Sequence, residues 1–117
     1  MIKRIALAST LALVPLAAAA ETWMVVEGAD GKTKGSWTVT AAGPAIKGVA
    51  AMKDSRGGPV SYQVAGNNQN GTYVIQRINP SDGLACPYVG KAAGPKAING
   101  TAKCGNANAS WSAVKTN

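Results

Sequence analysis

The sequence predicts an all-β protein: a small eight-stranded antiparallel up-and-down barrel, or else two packed four-stranded sheets, with one disulfide. Two observations lead to this prediction. Short runs of alternating apolar and polar residues are separated by turn signals such as "DG", "AGP" and "GGP", which is typical of strands in a meander. The two halves of the chain also contain similar stretches, which indicates that a four-stranded unit occurs twice in tandem.

The first 20 residues, "MIKRIALASTLALVPLAAAA", have a basic start, an apolar middle and a small-residue end. This pattern predicts a signal peptide cleaved after Ala20. Of 117 residues, removal of 20 leaves 97, which we expect to form one β-barrel domain over residues 21–117. Losing Lys3 and Arg4 lowers the formal net charge from +7 to +5. The mature chain should be periplasmic or secreted and have no transmembrane segment.

The tandem repeat is predicted from an overlay of "TWMVVEGADGKTKGSWTVTAAGPAIKGVAAM" on "TYVIQRINPSDGLACPYVGKAAGPKAINGTAKC". Repeat one then covers about 21–66 and repeat two about 67–117. The overlay places all the aromatic residues of the mature chain on matching positions: Trp23 with Tyr73, Trp37 with Tyr88, and Tyr62 with Trp111. We expect these side chains to fill the interior and to leave at most a small cavity.

Each predicted repeat contains a central hairpin whose register can be derived from its turn. A turn centred on Pro95 sets Cys86 opposite Cys104, and a disulfide between them suits an exported chain. Four further pairings follow from the two hairpins: Tyr88 opposite Ala102, Gly90 opposite Gly100, Trp37 opposite Ala50, and Val39 opposite Gly48. Each large aromatic side chain therefore faces a small residue, as a tightly curved sheet requires.

The inventory of reactive side chains argues against catalysis. The chain has no His, which removes the commonest general base and metal ligand. It has only five acidic residues, and no phosphate-binding loop or zinc-ligand spacing is present. We therefore expect no enzyme activity, no cofactor and no metal site. The Lys and Arg residues are scattered, so we also expect no nucleic-acid binding.

The candidate binding residues gather at one end of the predicted barrel. In a meander the first, third, fifth and seventh connections lie at one end, called here the odd mouth, and the others at the even mouth. The even connections carry charge only at Lys91 and Lys96. The residues predicted at the odd mouth, in or beside its loops, are Glu27, Asp30, Lys32, Lys34, Lys53, Asp54, Arg56, Arg77 and Asp82.

Glu27 and Arg77 form a special pair within this set. Each lies four residues beyond an aromatic residue, Trp23 or Tyr73. Because strand side chains alternate with period two, each charge should point inward like its aromatic residue. The two strands lie on opposite sides of the barrel, so we expect these charges to face each other across the odd mouth.

The string "GSWTV" followed by "GPAIKG" resembles phrases of small eight-stranded barrels, among them avidin-like proteins and some exported bacterial inhibitors of proteases or lysozymes. The resemblance covers about a tenth of the chain and implies an architecture. It carries over no binding residue.

These observations favour an exported, non-catalytic binding module that uses the charged odd mouth, with inhibition of a hydrolase as one form. The basic net charge favours an acidic protein or an anionic envelope polymer as partner. The alternative is a structural or envelope-associated protein without a discrete site.

Overall fold

The computed structural model of the protein describes residues 19–28 and 31–116. These residues form a closed barrel of eight antiparallel strands in sequence order. The barrel prediction and the disulfide between Cys86 and Cys104 are confirmed. The strands are β1 (Ala19–Glu27), β2 (Thr33–Ala42), β3 (Ala45–Lys53), β4 (Pro59–Gln69), β5 (Thr72–Ile78), β6 (Pro87–Ala92), β7 (Ala97–Cys104) and β8 (Ala107–Lys115).

The predicted hairpin registers are confirmed. In β2 and β3, Trp37 lies opposite Ala50 and Val39 opposite Gly48. In β6 and β7, Tyr88 lies opposite Ala102 and Gly90 opposite Gly100, and the Cα atoms of Cys86 and Cys104 are 4.4 Å apart. The aromatic residues that the overlay matched lie on strands four apart: β1 and β5, β2 and β6, and β4 and β8.

Strand ends extend further than the turn composition indicated. Lys34 and Lys53, expected in loops, pair with each other in the last register of β2 and β3. The stretch "GNNQNG", expected to be a loop, continues β4 as far as Gln69 and leaves Asn70 and Gly71 as a two-residue turn. Both turn residues have positive φ, 56° and 88°, the conformation that fits the twist of a tight hairpin.

The barrel interior is filled by side chains. Trp37 is fully buried at its centre, with ring centroids 5.2 to 6.1 Å from those of Tyr88, Trp111, Tyr62 and Trp23. The residues beside this cluster must be small because larger side chains would clash with it. A Cβ on Gly90, for example, would lie 2.6 Å from the ring of Trp111. All six aromatic residues of the predicted mature chain are buried, as expected from the sequence.

The barrel closes between its first and last strands. Strand β1 pairs with β8, and the register runs from Trp23 opposite Lys115 to Glu27 opposite Trp111. Next to the pair of Trp23 and Lys115, the backbone N–H and the hydroxyl of Thr116 both donate to the carbonyl oxygen of Thr22. Both ends of the described chain therefore lie at the even mouth.

Candidate functional site

The odd mouth is bounded by the four connections that follow β1, β3, β5 and β7. Of the residues predicted there, Glu27 and Arg77 lie near strand ends and point inward, whereas Lys34 and Lys53 point outward. Lys32, Asp54, Arg56 and Asp82 lie in the connections. The predicted residue Asp30 lies outside the described residues.

Glu27 and Arg77 meet inside the odd mouth, as the period-two argument predicts. Arg77 Nη2 lies 3.0 Å from Glu27 Oε1, and the two side chains are only 4% and 5% exposed. An ion pair removed from water requires further hydrogen bonds to offset the loss of hydration. Tyr62 and Tyr88 supply these bonds.

The two tyrosine hydroxyls connect the ion pair to the aromatic core. Tyr62 donates to Glu27 Oε2 at 2.6 Å, and Tyr88 donates to Glu27 Oε1 at 3.0 Å. Tyr62 in turn accepts from Trp37 Nε1 at 3.1 Å, and Tyr88 accepts from Arg77 Nε at 2.8 Å. The Arg77 guanidinium also lies 4.1 Å from the centroid of the Tyr62 ring, a cation–π contact.

Burial and charge together shift the titration of this network. Burial, then the neighbouring Tyr88 and Glu27, raise the pKa of Tyr62 well above its usual range. Burial and the charge of Glu27 likewise raise the pKa of Tyr88. Burial alone would lower the pKa of Arg77, but Tyr88 and Glu27 outweigh it and the pKa is raised. The network therefore holds neutral phenols around one ion pair.

The connections around the pair are ordered by their own side chains. Asp54 Oδ1 accepts the backbone N–H groups of Arg56 and Gly58, both at 2.9 Å, and these bonds lower the pKa of Asp54. Asp82 Oδ1 accepts the N–H of Leu84 at 3.0 Å and lies 3.5 Å from Arg77 Nη1. Both loops are thus fixed by carboxylate oxygens that accept backbone N–H groups.

A basic rim surrounds part of the odd mouth; it consists of Lys34 and Lys53 at the strand ends and Arg56 in the connection after β3. All three side chains are exposed. Lys34 and Lys53 are directly opposite in the sheet, and neither forms an ion pair with any residue that the structure describes. Like charges in this arrangement are destabilising. The outward-pointing Lys34 and Lys53 are therefore separate from the inward ion pair, although the sequence had placed all four residues in one predicted site.

A shallow depression of about 330 Å³ opens at the odd mouth. The ion pair Glu27–Arg77 lies among its lining residues, together with the carboxylates of Asp54 and Asp82. Val60 and Leu84 supply apolar surface, and Leu84 is 48% exposed. This depression is referred to below as the mouth depression.

A second inward cation, Lys115, was not predicted from the sequence. It lies four residues beyond Trp111, the spacing that identified Glu27 and Arg77, but β8 runs in the opposite direction and carries it to the even mouth. There Lys115 Nζ donates to the Tyr73 hydroxyl at 3.1 Å, and Glu21 accepts from Trp23 Nε1 at 2.8 Å. The even mouth therefore has more charge than its loops indicated.

The described residues include neither a metal-ligand cluster nor a membrane-spanning helix. They contain no group of three or more His, Cys, Asp or Glu residues placed to hold a metal ion. Within the same residues, no helix has the length and apolar character needed to cross a bilayer.

The fold defines the protein as a small, closed, up-and-down antiparallel β-barrel with one disulfide. A similar solved structure is described as the "De novo design of a fluorescence-activating beta barrel", with 18% sequence identity and a TM-score of 0.69 over 81% of this chain and 91% of that one. No protein-family model and no curated protein matches this chain. The likeness to the designed barrel is one of fold.

Proposed function

We propose that the protein is an exported, non-catalytic binding module whose odd mouth engages an acidic macromolecule. The observation that carries this proposal is the pairing of Lys34 with Lys53. Two like charges at directly opposed positions in a sheet cost stability, and no described acidic side chain neutralises them. A binding partner with carboxylate or other anionic groups would remove that cost.

The rigidity of the odd mouth supports binding of a macromolecule. The carboxylates of Asp54 and Asp82 fix two of its loops, and the disulfide joins β6 to β7 at the same end. A disulfide that closes a loop of this kind contributes roughly 3 kcal/mol in the loop-entropy model. Preordered loops lose less entropy on binding. Inhibition of a hydrolase is one form of such binding.

The designed barrel is described as "fluorescence-activating". A ligand held inside the barrel is therefore a second kind of binding to consider for this chain. The packed interior argues against such a ligand in this chain, because Trp37, Tyr88 and Trp111 are at most 1% exposed and in mutual contact. The mouth is the better candidate surface. A periplasmic or secreted location is supported by the leader pattern and by the two cysteines.

Charge reversal with matched controls tests the proposal. Mature, oxidised protein would be used to capture partners from envelope and culture extracts, beside the variant Lys34→Glu/Lys53→Glu. This variant keeps two like charges opposed, so its stability should stay close to that of the parent. The control Lys91→Glu/Lys96→Glu makes the same charge change at the even mouth.

We expect acidic partners to be retained by the parent and the even-mouth control and lost by the odd-mouth variant. Equal losses in both variants would instead identify general adhesion through net charge. That outcome belongs to the alternative function, a structural or envelope-associated protein. The alternative is favoured by the lysines outside the odd mouth, since Lys47, Lys91 and Lys96 are exposed as well.

A further inference from the structure

We infer that the mouth depression is a receptor for one cationic side chain, an ammonium or guanidinium group, presented by the partner. This inference rests on the proposed function and names the chemistry of its central contact. An acidic partner would then meet the basic rim with its surface and place a single basic residue in the depression.

The charge of the lining is the first argument. The depression is lined by three carboxylates, Glu27, Asp54 and Asp82, and one cation, Arg77. Arg77 is already engaged: Nη2 bonds to Glu27, Nε to Tyr88, and Nη1 lies 3.3 Å from the carbonyl oxygen of Leu84. An arriving anion would find a cation whose donors are largely occupied, and it would be repelled by the remaining carboxylates.

The accessibility of those carboxylates is the second argument. The hydrogen bonds of Asp54 and Asp82 within the described residues all use Oδ1. Each carboxylate can accept more bonds through Oδ2, and the Asp82 side chain is 31% exposed. A cation entering the depression can therefore gain charge-assisted hydrogen bonds without breaking the ones that order the loops.

The apolar part of the depression is the third argument. Val60 and Leu84 lie beside the carboxylates, and Leu84 is a large apolar side chain left 48% exposed. Lys and Arg carry an apolar stem below the charged group, and this stem packs on apolar surface while the charge remains at a polar site. A depression with carboxylates and an apolar wall matches both parts of such a side chain.

Three probes separate the role of charge from that of shape: benzamidinium, benzoate and benzyl alcohol. Each contains a benzene ring, and they differ in carrying a positive, a negative or no charge. Each would be titrated at constant ionic strength into mature, oxidised protein while the backbone amide resonances are followed by NMR. We expect benzamidinium to shift the amides of Gly28, Thr33 and Leu84 with a Kd on the order of millimolar, as suits so small a ligand. Benzoate should leave them unmoved, and benzyl alcohol should bind more weakly.

The variants Asp54→Asn and Asp82→Asn remove one charge each and keep an Oδ1 that can accept the loop N–H groups. Each should weaken benzamidinium several-fold, whereas Glu21→Gln at the even mouth should not. Equal or tighter binding of benzoate, or benzamidinium binding that both Asn variants leave unchanged, would overturn the inference. Absence of any benzamidinium shift would also overturn it, while the capture experiment would still decide the proposed function separately.

Discussion

The buried carboxylate of Glu27 at the odd mouth is compensated by several partners together, of which Arg77 carries the opposite charge. Glu27 accepts hydrogen bonds from Arg77, Tyr62 and Tyr88, and its exposed fraction is 4%. Removing one partner of a buried pair leaves the other charge without compensation, which costs more than the intact pair contributes. Replacing the charge of either residue by a neutral group of similar size should therefore lower the free energy of unfolding strongly.

We expect Glu27→Gln to lower the free energy of unfolding by roughly 3–5 kcal/mol, because Arg77 then remains buried beside an uncharged amide. Urea denaturation followed by tryptophan fluorescence measures this change. Glu21→Gln is the matched control, since Glu21 accepts a bond from Trp23 but is only half-buried. A loss for Glu27→Gln no larger than that of the control would contradict the structural role assigned to the pair.

The sequence predicts some aspects of the position of these residues and not others. Period two and the spacing from an inward aromatic residue gave the inward face of Glu27 and Arg77, and the direction of β1 and β5 gave the correct mouth. Period two could not indicate that Tyr62 and Tyr88 reach Glu27, because alternation defines the face of a strand and not the height of a side chain along the barrel. That height depends on the stagger between strands, which a single strand does not encode.

Among the elements, the β2–β3 hairpin is paired further than its composition indicated. The charged residues Lys34 and Lys53 were expected in loops because charge and turn residues occur together in the sequence, yet both extend the β2–β3 ladder. The confirmed pairings of Trp37 with Ala50 and Tyr88 with Ala102 had a stronger basis. For those pairs, the length of the turn and the packing of a large side chain against a small one both predict the same register.

The opposed lysines predict a stabilising substitution. Lys34→Glu creates an opposite-charge pair with Lys53 and should raise the free energy of unfolding by roughly 0.2–1 kcal/mol at low salt. Lys34→Gln, which only removes the repulsion, should lie between the parent and Lys34→Glu. Urea midpoints at low and high salt provide the measurement, because screening should reduce the gain. A parent more stable than both variants would refute the repulsion.

At the scale of the whole molecule, the buried phenols connect stability to alkaline pH. The pKa values of Tyr62 and Tyr88 are raised in the folded barrel by burial first and by Glu27 among their neighbours. The folded state therefore holds protons that the unfolded state releases, and stability falls as pH rises above about 10, the usual tyrosine value. Below that pH their contribution is fully present.

We expect the ionisation of these two phenols to coincide with unfolding. Their phenolate absorbance, taken as the difference between the parent and the Tyr62→Phe/Tyr88→Phe variant, should appear together with the loss of the β-sheet circular dichroism signal. Phenolate absorbance from both residues in a barrel that retains its full circular dichroism would show that the hydroxyls are open to solvent. A titration upward from neutral pH makes the comparison.

The closure of β1 on β8 has a practical consequence for orientation. The described chain begins and ends at the even mouth, where Thr116 bonds to Thr22, while the ion pair and the basic rim lie at the opposite end. A support attached at Ala19 or Thr116 would therefore leave the odd mouth pointing away from it. Attachment at either of these two residues would present the same mouth to solvent.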